Sequence, residues 1–239
     1  MTEFQKLFGA KETHIKETCI LLPLLRKDIL RQLGVKEFLR GRLYGSGNSN
    51  AFTVIHTGVG PAFSGDVALY LSQTRCQNMI LFGSCGLVKE KDGLRIGSLV
   101  TPSKAYALEG FTEMLLKDKK DWNSFHPDTT LIENFLSSNK DRDIKKTLCA
   151  TLGSLKLERD YVDLFNKKEV ETVDMECSAL FSASKHTGKR AMAFFYITDI
   201  INKKPFYVAL EAEDKKTLSS SIKTAARILC EFIEKNLNC

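Results

Sequence analysis

The stretch Val173-Asp174-Met175-Glu176-Cys177-Ser178-Ala179-Leu180 sets two acids at an abrupt change of composition. Before it, Glu169 to Val173 is short and partly β-branched, as a strand favours. After it, Cys177 to Lys185 is made of small and apolar residues that suit a buried helix. An acid where a buried helix begins is either a cap or a ligand for something in a cleft. Side chains two apart on a helix point about 200° from one another, so only one of Asp174 and Glu176 can face a given pocket. On local chemistry alone, Asp174 reads as the N-cap and Glu176 as a first-turn acid favoured by the helix dipole. Asp199 stands in a similar setting, straight after the apolar run Ala191 to Thr198.

Working outward, apolar strands alternate with helices. Cys19 to Leu25, closed by Arg26, Lys27 and Asp28, reads as a first strand entering a helix to about Leu33. Gly41 to Asn50 reads as a turn between two strands. Ala51 to His56 is a strand that runs into the loop Gly58-Val59-Gly60-Pro61, and Ser64 to Ser72 has helical spacing. Asn78 to Phe82 is an apolar strand followed by Gly83-Ser84-Cys85-Gly86, which reads as a tight turn. Further strands are expected over Gly97 to Pro102 and Cys149 to Leu155, with a polar helix-and-loop excursion from Lys117 to Lys146 between them. A last amphipathic helix, Lys216 to Asn236, puts Leu218, Ile222, Ala225, Leu229 and Phe232 on one face, with Ile228 beside them. The pattern is that of a single α/β domain with its site in loops at strand ends.

The bulk numbers exclude several classes. With 239 residues, 43% hydrophobic and 27% charged, the chain is ordinary for a soluble globular domain. Its net charge of +6 is scattered, as where Lys215 and Lys216 follow Glu211, Glu213 and Asp214. That reads as solvated surface and not as a nucleic-acid face, and a modest basic excess suits an anionic small molecule. The seven cysteines (19, 76, 85, 149, 177, 230 and 239) are odd in number and form no CxxC pair. Reduced thiols in a cytoplasmic protein explain them better than disulfides or a zinc site. Met1 to Thr18 is polar with no signal-like core, and no run approaches the ~18 apolar residues of a membrane span. No histidine has metal spacing to a partner, so no metal is expected.

The two glycine loops each follow an apolar strand, where glycine lets the backbone pass close to a ligand and its N–H groups hold an anion. Neither is a Walker A or a dinucleotide fingerprint. Ser84 adds a hydroxyl but sits in no Gly-x-Ser-x-Gly elbow, which speaks against a hydrolase triad.

The order Gly58-x-Gly60, Gly83-Ser84-Cys85-Gly86, Asp174-Met175-Glu176, Thr198-Asp199 resembles the purine nucleoside phosphorylase and nucleosidase superfamily. "GSCG" and "VDMECSAL" are the most specific pieces, and the resemblance covers Cys19 to the C-terminus. It implies a catalytic domain over 19–239 behind an extension over 1–18, with a central twisted mixed β-sheet flanked by helices. It also implies cleavage of the N-glycosidic bond of a purine nucleoside, as in purine salvage, by a cytoplasmic homo-oligomer with no nucleic-acid or membrane partner. Glu176 would hold the ribose hydroxyls, Met175 would pack on the sugar, and Asp199 would be the general acid at purine N7. No cofactor is implied beyond inorganic phosphate as co-substrate, held by Gly58, Gly83, Ser84, Arg26 and Arg40. The product would then be ribose-1-phosphate, with Arg40 a residue that a neighbouring subunit could lend. Leu81 stands where phosphorolytic members carry a further arginine. Hydrolytic members lack that arginine and activate water with a carboxylate near the first strand, for which Asp28 is the candidate, so a hydrolytic nucleosidase is the alternative. A non-catalytic binding or storage protein of the same fold is a third reading, and both Glu176 and Asp199 argue against it. The family stacks the base on an aromatic within 152–163, but no aromatic of this chain falls at the expected place.

Overall fold

The computed structural model describes residues 1–117 and 122–237; the rest of the polar excursion, 118–121, and Cys239 with its neighbour lie outside the described residues. Asn78–Leu87 forms β5, the strand around which the molecule is organised. It lies parallel to β1 (Thr18–Leu22) on one side and to β10 (Arg190–Ile200) on the other. Beyond β1 come β4 (Thr53–His56), parallel to it, then β3 (Gly45–Asn48) and β2 (Leu39–Arg40) in antiparallel pairings.

Burial on both faces explains why these strands read as unbroken apolar runs. Met79 and Leu81 of β5, with Ala193 and Phe195 of β10, face α3 (Pro61–Leu71) and α7 (Cys177–Thr187). Ile80 and Phe82, with Met192 and Phe194, face α2 (Lys27–Gln32), α5 (Thr129–Ser137) and α8 (Ala212–Asn236). The last helix buries Ile222, Ala225, Ile228, Leu229 and Phe232 as its spacing predicted, leaves Leu218 half-buried, and adds Ala226 and Ile233. Each such side chain taken from water stabilises the fold by about 1.5–3 kcal/mol. The fold is a mixed sheet between helices, as expected.

Two features lay beyond the periodicity. The sheet closes on itself: β10 also pairs with β6 (Leu99–Leu108), β6 with β8 (Ile144–Leu152), β8 with β9 (Thr172–Asp174), and β9 returns to the end of β5. And Gly83-Ser84-Cys85-Gly86 is no turn; it continues β5 into this ring. Glycine is needed there for close approach. A Cβ on Gly86 would stand 3.1 Å from Val173 Cγ2 and 3.2 Å from Asp199 Oδ2.

The first residues pack onto the domain. Helix α1 (Glu3–Phe8) stacks Phe4 on Phe8, whose ring meets Tyr44 at 4.6 Å. No helix among the described residues is long and apolar enough to cross a membrane.

Candidate active site

Parallel strands that end together leave a crevice beyond their carboxyl ends. Here β1, β5 and β10 open onto a cavity of about 360 Å³, walled by Leu22 and Pro23, by Phe82 to Gly86, and by Tyr196, Thr198 and Asp199. The β9–α7 junction supplies Val173 to Glu176, and a short 3₁₀ segment, Leu155–Tyr161, supplies Leu155 and Glu158. Val59 and Phe206 stand at its edge, both partly exposed.

Neither acid is helical, since Asp174 ends β9 and Glu176 precedes α7, so the helical spacing expected to let only one face a pocket does not apply and both line the cavity; their hydrogen bonds are what part their roles. Helix α7 begins at Cys177, with Glu176 in the capping position, but the capping carboxylate is that of Asp174. Its Oδ2 accepts the N–H groups of Glu176 (3.0 Å) and Cys177 (2.6 Å), and its Oδ1 accepts the Thr151 hydroxyl at 2.7 Å. Thr151 in turn accepts the N–H of Ser178 at 2.8 Å, so two of the orphan donors of α7 and one more are tied to β8 and β9. Burial pushes the Asp174 carboxyl up, and these donors pull against it.

Glu176 is freed from capping. Its Oε1 accepts the N–H of Gly60 at 2.7 Å, joining the first glycine loop to the acid motif. Gly60 has φ +124°, a conformation essentially reserved for glycine, and this aims its N–H at the carboxylate. Burial, then the charge of Asp174, pushes the Glu176 carboxyl up.

Asp199 lies just past Thr198, where the register of β10 against β5 shifts. It is buried, and its Oδ1 accepts the Thr198 hydroxyl at 2.7 Å. Burial raises its carboxyl above the ordinary range. A carboxyl shifted in this direction is the kind of group that general-acid chemistry uses in a dry site.

Of the expected site residues, Glu176, Met175, Asp199, Gly83 and Ser84 come together at the cavity. Gly58 does not line it; its loop contributes Val59 and the Gly60 N–H instead. Arg26 is half exposed and forked onto Asp28, Nε to Oδ1 at 3.1 Å and Nη2 to Oδ2 at 2.7 Å. That pair occupies both groups away from the cavity and holds the Asp28 carboxyl below its usual range. Arg40 is exposed on the edge strand β2. Leu81 is fully buried on the face toward α3 and α7. Among the described residues that line the cavity, none is Lys, Arg or His, whereas four are Asp or Glu: Glu158, Asp174, Glu176 and Asp199.

Glu158 was not foreseen. It is 3% exposed, and burial followed by the charge of Asp199 pushes its carboxyl up to about 7. In sequence it sits among Lys156, Arg159 and Asp160, and nothing local distinguishes it from that charged surface. Tyr196 was likewise hidden in an apolar strand.

With this geometry in view, the comparisons are specific. A family model described as the phosphorylase superfamily matches residues 21–234. Uridine phosphorylase from Vibrio fischeri ES114 superposes with a TM-score of 0.77 at 18% identity, covering 94% of this chain and 95% of that one. The same enzyme complexed with 6-hydroxy-1-naphthoic acid gives 0.76 at 18% identity, with 94% of each chain covered. At that identity the likeness speaks for the fold. No curated protein matches the chain.

Proposed function

The chain belongs to the phosphorylase superfamily, and from that premise we propose that its cavity cleaves the N-glycosidic bond of a purine nucleoside. The observation that carries this reading is the meeting of Glu176 and Asp199, both buried, at one cavity of nucleoside size. In this reading Glu176, braced by Gly60, accepts the ribose 2′- and 3′-hydroxyls, and Met175 packs on the sugar. Bond cleavage builds positive charge on the sugar, which nearby carboxylates stabilise. The purine leaves poorly as an anion, and the Asp199 carboxyl donates to N7. This proton argues for a purine, since a departing pyrimidine carries its charge on ring carbonyl oxygens and offers no N7.

Water is the acceptor that the described lining favours. A phosphate dianion wants bidentate arginine or comparable cations, whereas the described lining has none and Arg26 is engaged by Asp28. The second reading is phosphorolysis, with phosphate as co-substrate on the Gly83–Ser84 backbone and the Ser84 hydroxyl. It is favoured by the position of these two residues at the cavity wall, and requires a neighbouring copy in a homo-oligomer to lend an arginine such as Arg40. Product analysis tests the reading: inosine, adenosine, methylthioadenosine, AMP and uridine are each incubated with and without phosphate. Free purine and free ribose in phosphate-free buffer are expected. Strict phosphate dependence with ribose-1-phosphate would establish the second reading, and release of uracil alone would overturn purine specificity.

A further inference from the structure

We propose that Glu158 is a positioning residue for the acid step, forming with Asp199 a carboxyl pair that carries one proton between them. The proposal rests on the reading of Asp199 as the general acid, and gives that acid a proton reserve.

The argument begins from burial without partners. Glu158 is nine-tenths or more buried, lines the cavity, and accepts no hydrogen bond among the described residues. Asp174 and Glu176 each accept backbone N–H groups, and Asp199 accepts the Thr198 hydroxyl. Glu158 therefore has no hydrogen-bond donor for a negative charge among the described residues, only the opposing pull of the Arg159 charge, and burying a carboxylate without donors is expensive.

No cation lines the cavity among the described residues; Arg159 acts on Glu158 from outside that lining, and its charge pulls the carboxyl down by less than burial and the charge of Asp199 push it up. The groups around the pair on β10 are Thr198 and Tyr196, and on β5 Cys85; burial pushes both the phenol and the thiol up, so both are neutral. Across the cavity stand Asp174 and Glu176, which bring no positive charge. Arg159, next to Glu158, lies 5.0 Å from the Tyr207 ring centroid. Lys203 and Lys204, which follow Asp199, are paired with Glu90 and Asp214. Two carboxylates in one cavity whose described lining holds no cation do not both ionise cheaply; they lose their protons in two separated steps that belong to the pair. Between those steps Glu158 is the better holder of the proton, because Asp199 has the hydroxyl donor that favours its charged form.

The proton balance is simple. The one shared proton passes from Glu158 to Asp199 and on to N7 as the C1′–N9 bond breaks and its electron pair leaves with the base. Both carboxyls are then ionised, water adds its oxygen to C1′, and the proton that water sheds returns to the pair before the next turnover.

The test is the pH profile of kcat/KM for release of free base by wild type, Glu158→Gln and Glu158→Asp, with circular dichroism to check folding. In wild type the basic limb marks loss of the shared proton. Glu158→Gln leaves Asp199 alone beside its Thr198 donor, so the limb should move down by about one pH unit or more. Glu158→Asp, which keeps the second carboxyl, should restore it toward wild type, and also serves if the glutamine variant does not fold. A limb that stays in place, with only KM or base preference altered, would overturn the proposal and leave Asp199 acting alone. A wild-type protein that releases no base from any nucleoside would overturn both this pair and the reading beneath it.

Discussion

The carboxylate of Glu176 accepts the backbone N–H of Gly60 at 2.7 Å, across 116 positions of sequence. The contact fixes the orientation of the acid from a loop whose conformation only glycine adopts at low cost. In Gly60→Ala the added Cβ meets no hard obstacle, its nearest neighbour being Phe63 Cδ2 at 3.9 Å. The penalty comes from φ +124° and amounts to about 1–3 kcal/mol if the loop holds its shape. The loop is expected to relax instead and withdraw its N–H, so kcat/KM should fall at least about tenfold with little change in melting temperature. Steady-state kinetics beside a thermal melt check this.

Asp174 is a structural acid. Asp174→Ala strips the start of α7 of the oxygen that accepts two of its N–H groups and leaves the Thr151 hydroxyl without its buried partner. A lost cap and an unpaired buried group together cost about 2–4 kcal/mol. Urea unfolding should report a lower midpoint with the slope unchanged. A midpoint within error of wild type would show that the cap carries no weight.

Glu176→Gln separates stability from turnover through pH. The folded protein holds the Glu176 carboxyl above its ordinary range, so it binds more protons than the unfolded chain. That stability is fully present below the unfolded value and is lost as pH rises through the raised folded one. The amide cannot ionise and keeps an oxygen for Gly60. Melts at pH 5 and pH 8 should therefore show the variant gaining on wild type at the higher pH while its turnover drops at least about tenfold. An equal difference at both pH values would contradict the assignment of cause.

Gly86→Ala tests the ring closure. The new methyl would meet Val173 at 3.1 Å and Asp199 at 3.2 Å, and both must give by tenths of an ångström. Overpacking of this kind costs about 1–3 kcal/mol. Because one of the displaced groups is the Asp199 carboxyl, kcat should fall by more than the stability change accounts for.

The strands and helices were legible because their apolar periods survive in the sequence: β5, β10 and α8 stand close to where the pattern put them. The glycine motif was located but misread. Glycine ordinarily weakens a strand, and the reason for it here is contact with β9 and β10, which no local pattern records. Asp174 was legible as the cap of α7, but the helical spacing meant to keep one acid out of the pocket was not a guide, since neither residue is helical and both reach the cavity. Glu158 was not, since a buried acid in a 3₁₀ segment is spelled like the surface charges beside it. Arg26 fell out of the cavity because Asp28, two residues on, is a better partner than an apolar wall.

The most direct test of the proposed acid is Asp199→Asn assayed on two leaving groups, a purine nucleoside and 4-nitrophenyl riboside, whose phenolate departs without a proton. An acid in this position contributes on the order of 10²–10⁴-fold to a leaving group that needs it. The asparagine variant should lose about that much on the nucleoside and retain most of its rate on the nitrophenyl riboside. Equal losses on both substrates, or full activity on the nucleoside, would contradict it.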